Sequence, residues 1–485
     1  MGIFMNLAKS YGDMVRRSLE QSPERAGGEI RLGLRLEALR CRLLADKRMP
    51  QAYRYLNSKA LSLVSDALAH PETFVCTNIF APVELLQNFG LNSVSMECLA
   101  SFLSGFYLED YFIDNAENTG IASTLCSYHK NFIGAVDSGV LPKPLLGVTT
   151  SMICDGNINT FRYLEEQHGV PAFVLDIPHE YSEEACDYVE GQLRALIVRL
   201  EKATGRRYDE AALRETIRRE NRSRAHYLSF LRKRIDHDYP NTLTLILFML
   251  FATHLNIGTE WAERFFAMLD EDVERYPASA AKRIFWIHLT PYAQETLRSY
   301  FNYGKEYEIV ADDFNLDYIE EMDDAQPLHA LARKMLCNIY NGDFSRKTQA
   351  VQRYVREYRC DAVIEFCHWG CKQSSGGVML MKEAMRELGV PMLILDGDAL
   401  DRRNSHDGQI KTRFEAFLEV MKNTSGGAAE QTARGQENSA EERAAHGRED
   451  SVEKRAVCGQ EDAAAERAAG EHRSAAMRSA RKEAV

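Results

Sequence analysis

Thiols are the residues of this chain with the most chemistry to offer. The segment 360–421 reads CDAVIEFCHWGCKQSSGGVMLMKEAMRELGVPMLILDGDALDRRNSHDGQIKTRFEAFLEVM. A short apolar run, 361–366, breaks at Cys367 and Cys371. Helix-patterned residues 377–388 follow, and Gly389-Val390-Pro391 opens a second apolar run, 392–395, ending in Asp396-Gly397-Asp398. The pattern predicts a strand–turn–helix–strand unit with cysteines at the first crossover, where parallel sheets place ligands. A helix N-terminus beside that turn stabilises negative charge on the sulfur or on whatever it binds. The same pattern occurs earlier. Residues 145–153 (LLGVTTSMI) end at Cys154, residues 157–167 are helix-patterned, and Gly169-Val170-Pro171 opens an apolar run, 172–175, ending in Asp176. Cys154 and Cys371 are therefore expected in equivalent turns of two similar units.

Five thiols are expected at strand ends: Cys76, Cys126, Cys154, Cys367 and Cys371. Three of them, Cys126, Cys154 and Cys371, precede helix-patterned segments. The eleven cysteines are scattered and include no CxxC…CxxC pair, so a structural zinc site is not indicated. Thiolates converging from separate loops suit an iron–sulfur cluster better. Three protein ligands on a [4Fe–4S] cluster would leave one iron open to act as a Lewis acid on a hydroxyl or carbonyl oxygen. Other chemistries lack their signatures. No GxGxxG opens a helix after a strand, and no GxxxxGK[ST], HExxH or GxSxG occurs.

The elements that must position these thiols follow from periodicity. The expected fold class is α/β, with two Rossmann-like parallel-sheet domains. Residues 1–68 read as a helical lead-in, with Leu32, Leu36, Leu39 and Leu43 on one stripe. Residues 69–181 alternate strand and helix and form a first α/β domain carrying Cys76, Cys126 and Cys154. Residues 182–275 carry i, i+3, i+4 apolar spacing and predict a helical connector. Residues 276–424 form a second α/β domain carrying Cys367 and Cys371. Residues 425–485 repeat about every twelve residues in Ala, Glu, Arg, Gln and Gly, a composition with no face to bury, so a disordered or transiently helical tail is expected. Cys458 lies inside a repeat and is not expected to be a ligand.

At 485 residues the chain can bury a large core, and its net charge of −12 argues against nucleic acid as a partner. The longest apolar run, 243–255, is too short to span a membrane and reads as a buried core helix. With no signal-peptide pattern, cytoplasmic residence is expected.

The chain resembles the 2-hydroxyacyl-CoA dehydratase family, which includes benzoyl-CoA reductase subunits and double-cubane cluster proteins. The similarity is carried by STLCSYHKNFIGAVDSGVLPKP around Cys126, SMICDGNINTFRYLEEQHGVPAFVLDIP around Cys154, PVELL after Cys76, and HWGCKQ…LDGD…RRN…DGQIKTRFEAFLE from His368 to Glu419. It covers about residues 70–424. It implies a two-domain α/β subunit holding a [4Fe–4S] cluster between its domains on Cys126, Cys154 and Cys371. An ATP-hydrolysing iron–sulfur activator protein delivers an electron, and a 2-hydroxyacyl-CoA loses water by a ketyl-radical route. The expected assembly is a homodimer or a heterodimer with a related subunit, and the substrate an acyl-CoA. The alternative is a double-cubane [8Fe–9S] reductase or electron-transfer protein served by the same kind of activator. Such a protein needs about twice as many thiols. Cys76 and Cys367 are the weaker candidates for these, and Cys98 and Cys337 read rather as small core residues.

Other polar residues have more local expectations. His129 and Lys130 are candidates to hold an acyl-CoA carbonyl or phosphates, and His368 to donate a proton or hydrogen bond near the open iron. Asp396 and Asp398 end a strand where ligands bind. Arg402, Arg403 and Arg413 are expected to meet carboxylates such as Asp401 and Glu415 rather than phosphates.

Overall fold

The structure is a computed structural model that describes residues 2–435, with side chains for 7–422. Residues 1–421 pack as one compact unit. Three helices lead in: Gly2–Leu19, Pro23–Leu43 and Gln51–Ala69. Among the described residues eight strands follow, all paired in parallel. The first four are β1 (Phe74–Thr77), β2 (Asn92–Ser95), β3 (Leu146–Thr150) and β4 (Ala172–Leu175); they form a sheet of order β2-β1-β3-β4. The last four are β5 (Lys282–Ile287), β6 (Tyr307–Asp312), β7 (Ala362–His368) and β8 (Met392–Gly397), in the order β6-β5-β7-β8. The two orders are the same when each sheet is counted from its own first strand. The α/β expectation of two parallel sheets therefore holds.

Four of these strands are buried along their whole length, as parallel strands with helices on their faces must be, and central β5 is buried from Ile284 on. Every residue of β1, β3, β6 and β7 is buried. Between the sheets run the helices Glu183–Thr204, Glu210–Arg234, Leu243–Leu250 and Glu260–Asp272. Each has a Ser, Asp or Thr N-cap whose side chain accepts from the third backbone N–H that follows. The apolar run 243–255 starts as α-helix and relaxes into a π-turn over Phe251–Leu255, buried as expected.

One strand escaped the sequence pattern. β2 is NSVS, short and polar at three of its four positions, at the sheet edge. Conversely, Thr124-Leu125-Cys126, read as a strand end, lies in a turn before helix Ser127–Asp137. The backbone groups of Leu125, His129 and Lys130 there bond to local partners rather than to a ladder. The last helix, Asp407–Gly435, continues into the start of the repeat tail. Ala, Glu, Gln and Arg prolong an existing helix without a new nucleus. Cys458 and the rest of the tail lie outside the described residues. Among the described residues no helix is long and apolar enough to cross a membrane.

Candidate metal centre

Each expected ligand sits where a strand or turn meets a helix. Cys154 ends the turn after β3 and is the N-cap of helix Asp155–His168. Cys371 ends the turn after β7 and caps Lys372–Ser375. Cys126 caps Ser127–Asp137. These three, from loops far apart in sequence, line a single cavity of about 1070 Å³. Among the described residues no three His, Cys, Asp or Glu side chains converge tightly enough for one metal ion. The thiols instead border a shared space.

Close backbone packing sets the arrangement. Gly370, at φ +79°, lies against Cys126. A Cβ built there would stand 2.6 Å from the Cys126 backbone nitrogen and 2.8 Å from its Cα. Only glycine allows the Cys371 turn to approach this closely while holding a left-handed backbone. The second tie runs from Ser127 Oγ, which donates to Asp398 Oδ1 at 2.7 Å; the same oxygen accepts from the backbone N–H groups of Leu400 and Asp401. Asp398, just past the end of β8, is thus a clamp holding the Cys126 turn.

Three imidazoles accompany the three thiols. Cys126 Sγ is 3.2 Å from His368 Nε2, Cys154 Sγ 3.5 Å from His129 Nε2, and Cys371 Sγ 3.5 Å from His288 Nε2. Burial drives all three histidines toward the neutral form. His129 falls to about 4, by desolvation and then the neighbouring His368. His288 falls well below its ordinary value, by desolvation and then the charge of Lys347. His368 is also lowered, chiefly by desolvation, with Asp398 opposing. Burial likewise pushes two of the thiols up. Cys154 rises to about 11, although the backbone N–H groups of Asn157 and Gly156 favour its thiolate. Cys126 rises well above the ordinary thiol value, first by desolvation and then by Cys371. Without a metal these two sulfurs hold their protons; a bound metal displaces them. The donor set, thiols alone with neutral imidazoles behind them, fits an iron–sulfur cluster.

The remaining expected residues divide. Cys76 lies mid-strand in β1, between Val94 of β2 and Gly147 of β3, and is fully buried away from the cavity. Cys367 faces the opposite side of β7 from His368, and its thiol donates to the Ser374 carbonyl at 3.2 Å. Cys98 reaches the cavity wall, as does Cys41; Cys337 follows helix Pro327–Leu336 and does not line it. His129 has both ring nitrogens engaged, the second with Thr160 Oγ1 at 2.8 Å. Lys130 does not line the cavity; its ammonium binds Glu117 at 2.7 Å and the Ser123 carbonyl at 2.8 Å, bracing the loop before Cys126. The Trp369 ring packs near His406, while His368 meets Tyr128 edge-on. The arginines do meet carboxylates: Arg402 with Glu109, Arg403 with Asp401 and Asp114, and Arg413 with Asp396.

Sequence reasoning missed two residues. His288 follows β5, and the strand-end rule that singled out the cysteines would have found it. Its φ of +72° is a strained conformation held by Asp313, whose Oδ1 accepts the His288 N–H at 2.8 Å. Glu97 lines the cavity from the first turn of helix Met96–Gly105; burial raises it to about 7, and its Oε2 has no hydrogen-bond partner. No local pattern distinguishes it from a surface glutamate.

The family model for the 2-hydroxyglutaryl-CoA dehydratase D-component matches residues 78–421. The chain is 24% identical over 373 residues to the (R)-phenyllactyl-CoA dehydratase alpha subunit of Clostridium sporogenes, covering 71% of this chain and 88% of that one. It is 23% identical over 369 residues to the (R)-2-hydroxyisocaproyl-CoA dehydratase alpha subunit of Clostridioides difficile, covering 71% and 89%. A benzoyl-CoA reductase subunit of Thauera aromatica matches at 20% over 365 residues, covering 66% and 82%. With the match covering β2 to β8 together with Cys126, Cys154 and Cys371, the chain belongs to the 2-hydroxyglutaryl-CoA dehydratase D-component family.

Proposed function

We propose that the chain is the iron–sulfur subunit of a cytoplasmic 2-hydroxyacyl-CoA dehydratase. It would hold a [4Fe–4S] cluster on Cys126, Cys154 and Cys371, receive an electron from an ATP-hydrolysing iron–sulfur activator, and work with a related subunit. The reaction would remove water from a 2-hydroxyacyl-CoA by a ketyl-radical route. The observation that carries this reading is the convergence of three thiols from three loops on one cavity. When bound, the cluster would supply one-electron reduction and an open iron acting as a Lewis acid on a hydroxyl or carbonyl oxygen.

The chain's own residues would do the rest. Leu245, Phe248 and Phe251, from the apolar run, line the cavity with Phe102 and Phe106, a wall suited to an acyl chain and to excluding water. Glu97, protonated below about pH 7, holds a proton at a carboxyl whose Oε2 is unpartnered. It is the residue of the cavity best placed to give a proton to a departing hydroxyl or to take one from the neighbouring carbon. Gly156 keeps the Cys154 turn open, since a Cβ there would stand 3.0 Å from His129 Nε2 and 3.2 Å from Cys154 Sγ.

The test is anaerobic iron and sulfide quantification with electron paramagnetic resonance of the reduced protein. About four irons per chain, together with water loss from an acyl-CoA when activator is added, is the expected result. About eight irons would replace the reading with the double-cubane alternative, and an iron-free protein would remove both. Cys76 and Cys367, the weaker candidates for a second cubane, lie away from the cavity, so eight irons would have to draw on the wall thiols Cys41 and Cys98.

A further inference from the structure

We propose that His129, His288 and His368 are positioning residues for the sulfur ligands. Each directs an imidazole Nε2–H at one thiolate, His129 at Cys154, His288 at Cys371 and His368 at Cys126, and together they set how readily a cluster held there accepts an electron. The inference rests on the iron–sulfur reading above and deepens it.

Two of the three tautomers follow from the surroundings. The Ala399 N–H donates to His368 Nδ1 at 3.1 Å, so that nitrogen is the acceptor, and the ring proton sits on Nε2, facing Cys126. Asp398 Oδ1 lies 3.8 Å from the same Nδ1, outside hydrogen-bond reach, with its contacts already made to Ser127, Leu400 and Asp401. His288 Nδ1 is buried with no partner. A proton there would leave an orphaned donor inside the protein and aim the Nε2 lone pair at a thiolate that has nothing to donate. A proton on Nε2 leaves only an unpaired acceptor and gives Cys371 its hydrogen bond. For His129 the Thr160 hydroxyl can donate to Nδ1, which leaves Nε2–H for Cys154.

No two of the pairs share the same two segments. Cys126 stands before Ser127–Asp137 and meets the end of β7; Cys154 stands after β3 and meets Ser127–Asp137; Cys371 stands after β7 and meets the turn after β5. The Cys126 pair joins residues 242 apart in sequence. Reduction adds one electron's charge, part of it carried on the sulfurs. N–H dipoles aimed at those sulfurs stabilise the more negative state and so raise the potential. The electron comes from an external low-potential reductant, and no bond in the protein forms or breaks.

The test is a redox titration of the full-length, cluster-loaded protein with titanium(III) citrate, followed by electron paramagnetic resonance. His129→Leu, His288→Leu and His368→Leu should each keep their iron and shift the reduction equilibrium about tenfold toward the oxidised form, ~59 mV for one electron. His→Gln at the same positions, which keeps an N–H donor, should restore most of the shift. In protein labelled with [15N]histidine, pulsed spectra of the reduced state should show histidine nitrogen couplings that disappear one set per variant. Leu variants with full iron and an unshifted potential would overturn the proposal, as would Gln variants shifted as far as their Leu counterparts. Where a Leu variant loses its iron, the Gln variant decides: iron kept at the wild-type potential supports the proposal, and iron lost overturns it. A wild-type protein that binds no iron would sink the proposed function itself, so the two failures are distinguishable.

Discussion

In both sheets the third strand in chain order runs into a turn that ends at a site cysteine, and in both the preceding residue has a left-handed backbone. That residue is Ile153, at φ +64°, before Cys154, and Gly370, at φ +79°, before Cys371. The shared conformation shows that the turn itself, not its side chain, aims the sulfur at the cavity. The difference shows what each unit does besides. Gly370 must let the backbone of Cys126 come into contact, so no Cβ is admissible. Ile153 carries its side chain into the wall of the cavity. A branched residue there carries about 1–3 kcal/mol of strain, retained where a side chain contributes to the wall. The units also divide the donors. The first supplies two thiols, Cys126 and Cys154, and one of the paired imidazoles, His129; the second supplies one thiol, Cys371, and two imidazoles, His288 and His368.

The comparison breaks first at the cysteines. Cys126→Ala, Cys154→Ala and Cys371→Ala should each strip most of the iron and sulfide, whereas Cys76→Ala and Cys367→Ala should leave both unchanged. Equal losses at Cys76 or Cys367 would mean that the cavity thiols are not the ligand set.

Next comes the glycine. Gly370→Ala places a Cβ in strained backbone and against the main chain of Cys126, so unfolding in denaturant should show a loss of about 3 kcal/mol. Ile153→Gly trades relief of the same strain against lost packing and a more flexible unfolded chain, and should change stability by less than about 1 kcal/mol. Similar losses at both positions would erase the distinction drawn between the two turns.

Glu97 sharpens it further. Its folded pKa, about 7, lies above the unfolded carboxylate value, 4.5. The neutral acid therefore contributes stability that is complete below about pH 4.5 and is lost as the pH rises through about 7. In the iron-free protein Glu97→Gln should flatten that fall by up to one proton's slope, on the order of 3 kcal/mol across the window. Parallel stability–pH curves would show that Glu97 ionises as an ordinary surface carboxylate.

The smallest effect is expected at Lys130→Met. It releases the Ser123 carbonyl and Glu117, and should weaken iron retention without abolishing it, read as faster loss to a chelator.

Much of this was written locally. Apolar runs closed by GVP and Asp marked β3–β4 and β7–β8, and the cysteines at their crossovers fell where a parallel sheet opens onto its ligands. What periodicity could not carry was decided by packing. Cys126 occupies a turn instead of a strand end; a single aligned tripeptide does not reveal whether a ladder will receive it. β2 is too short and too polar to register as a strand until β1 pairs with it. His288 and Glu97 join the site because distant segments meet there, and Cys367 leaves it because alternation along β7 sends it to the far face. Residue order alone thus marked the two strand–helix units and all three candidate sulfurs, each ahead of a helix-patterned segment, since those depend on hydrogen-bond periodicity and turn chemistry within a few residues. The turn that holds Cys126, the pairing of each sulfur with an imidazole and the buried acid were settled only by the fold, because their convergence is a matter of long-range burial, which no short window of sequence encodes.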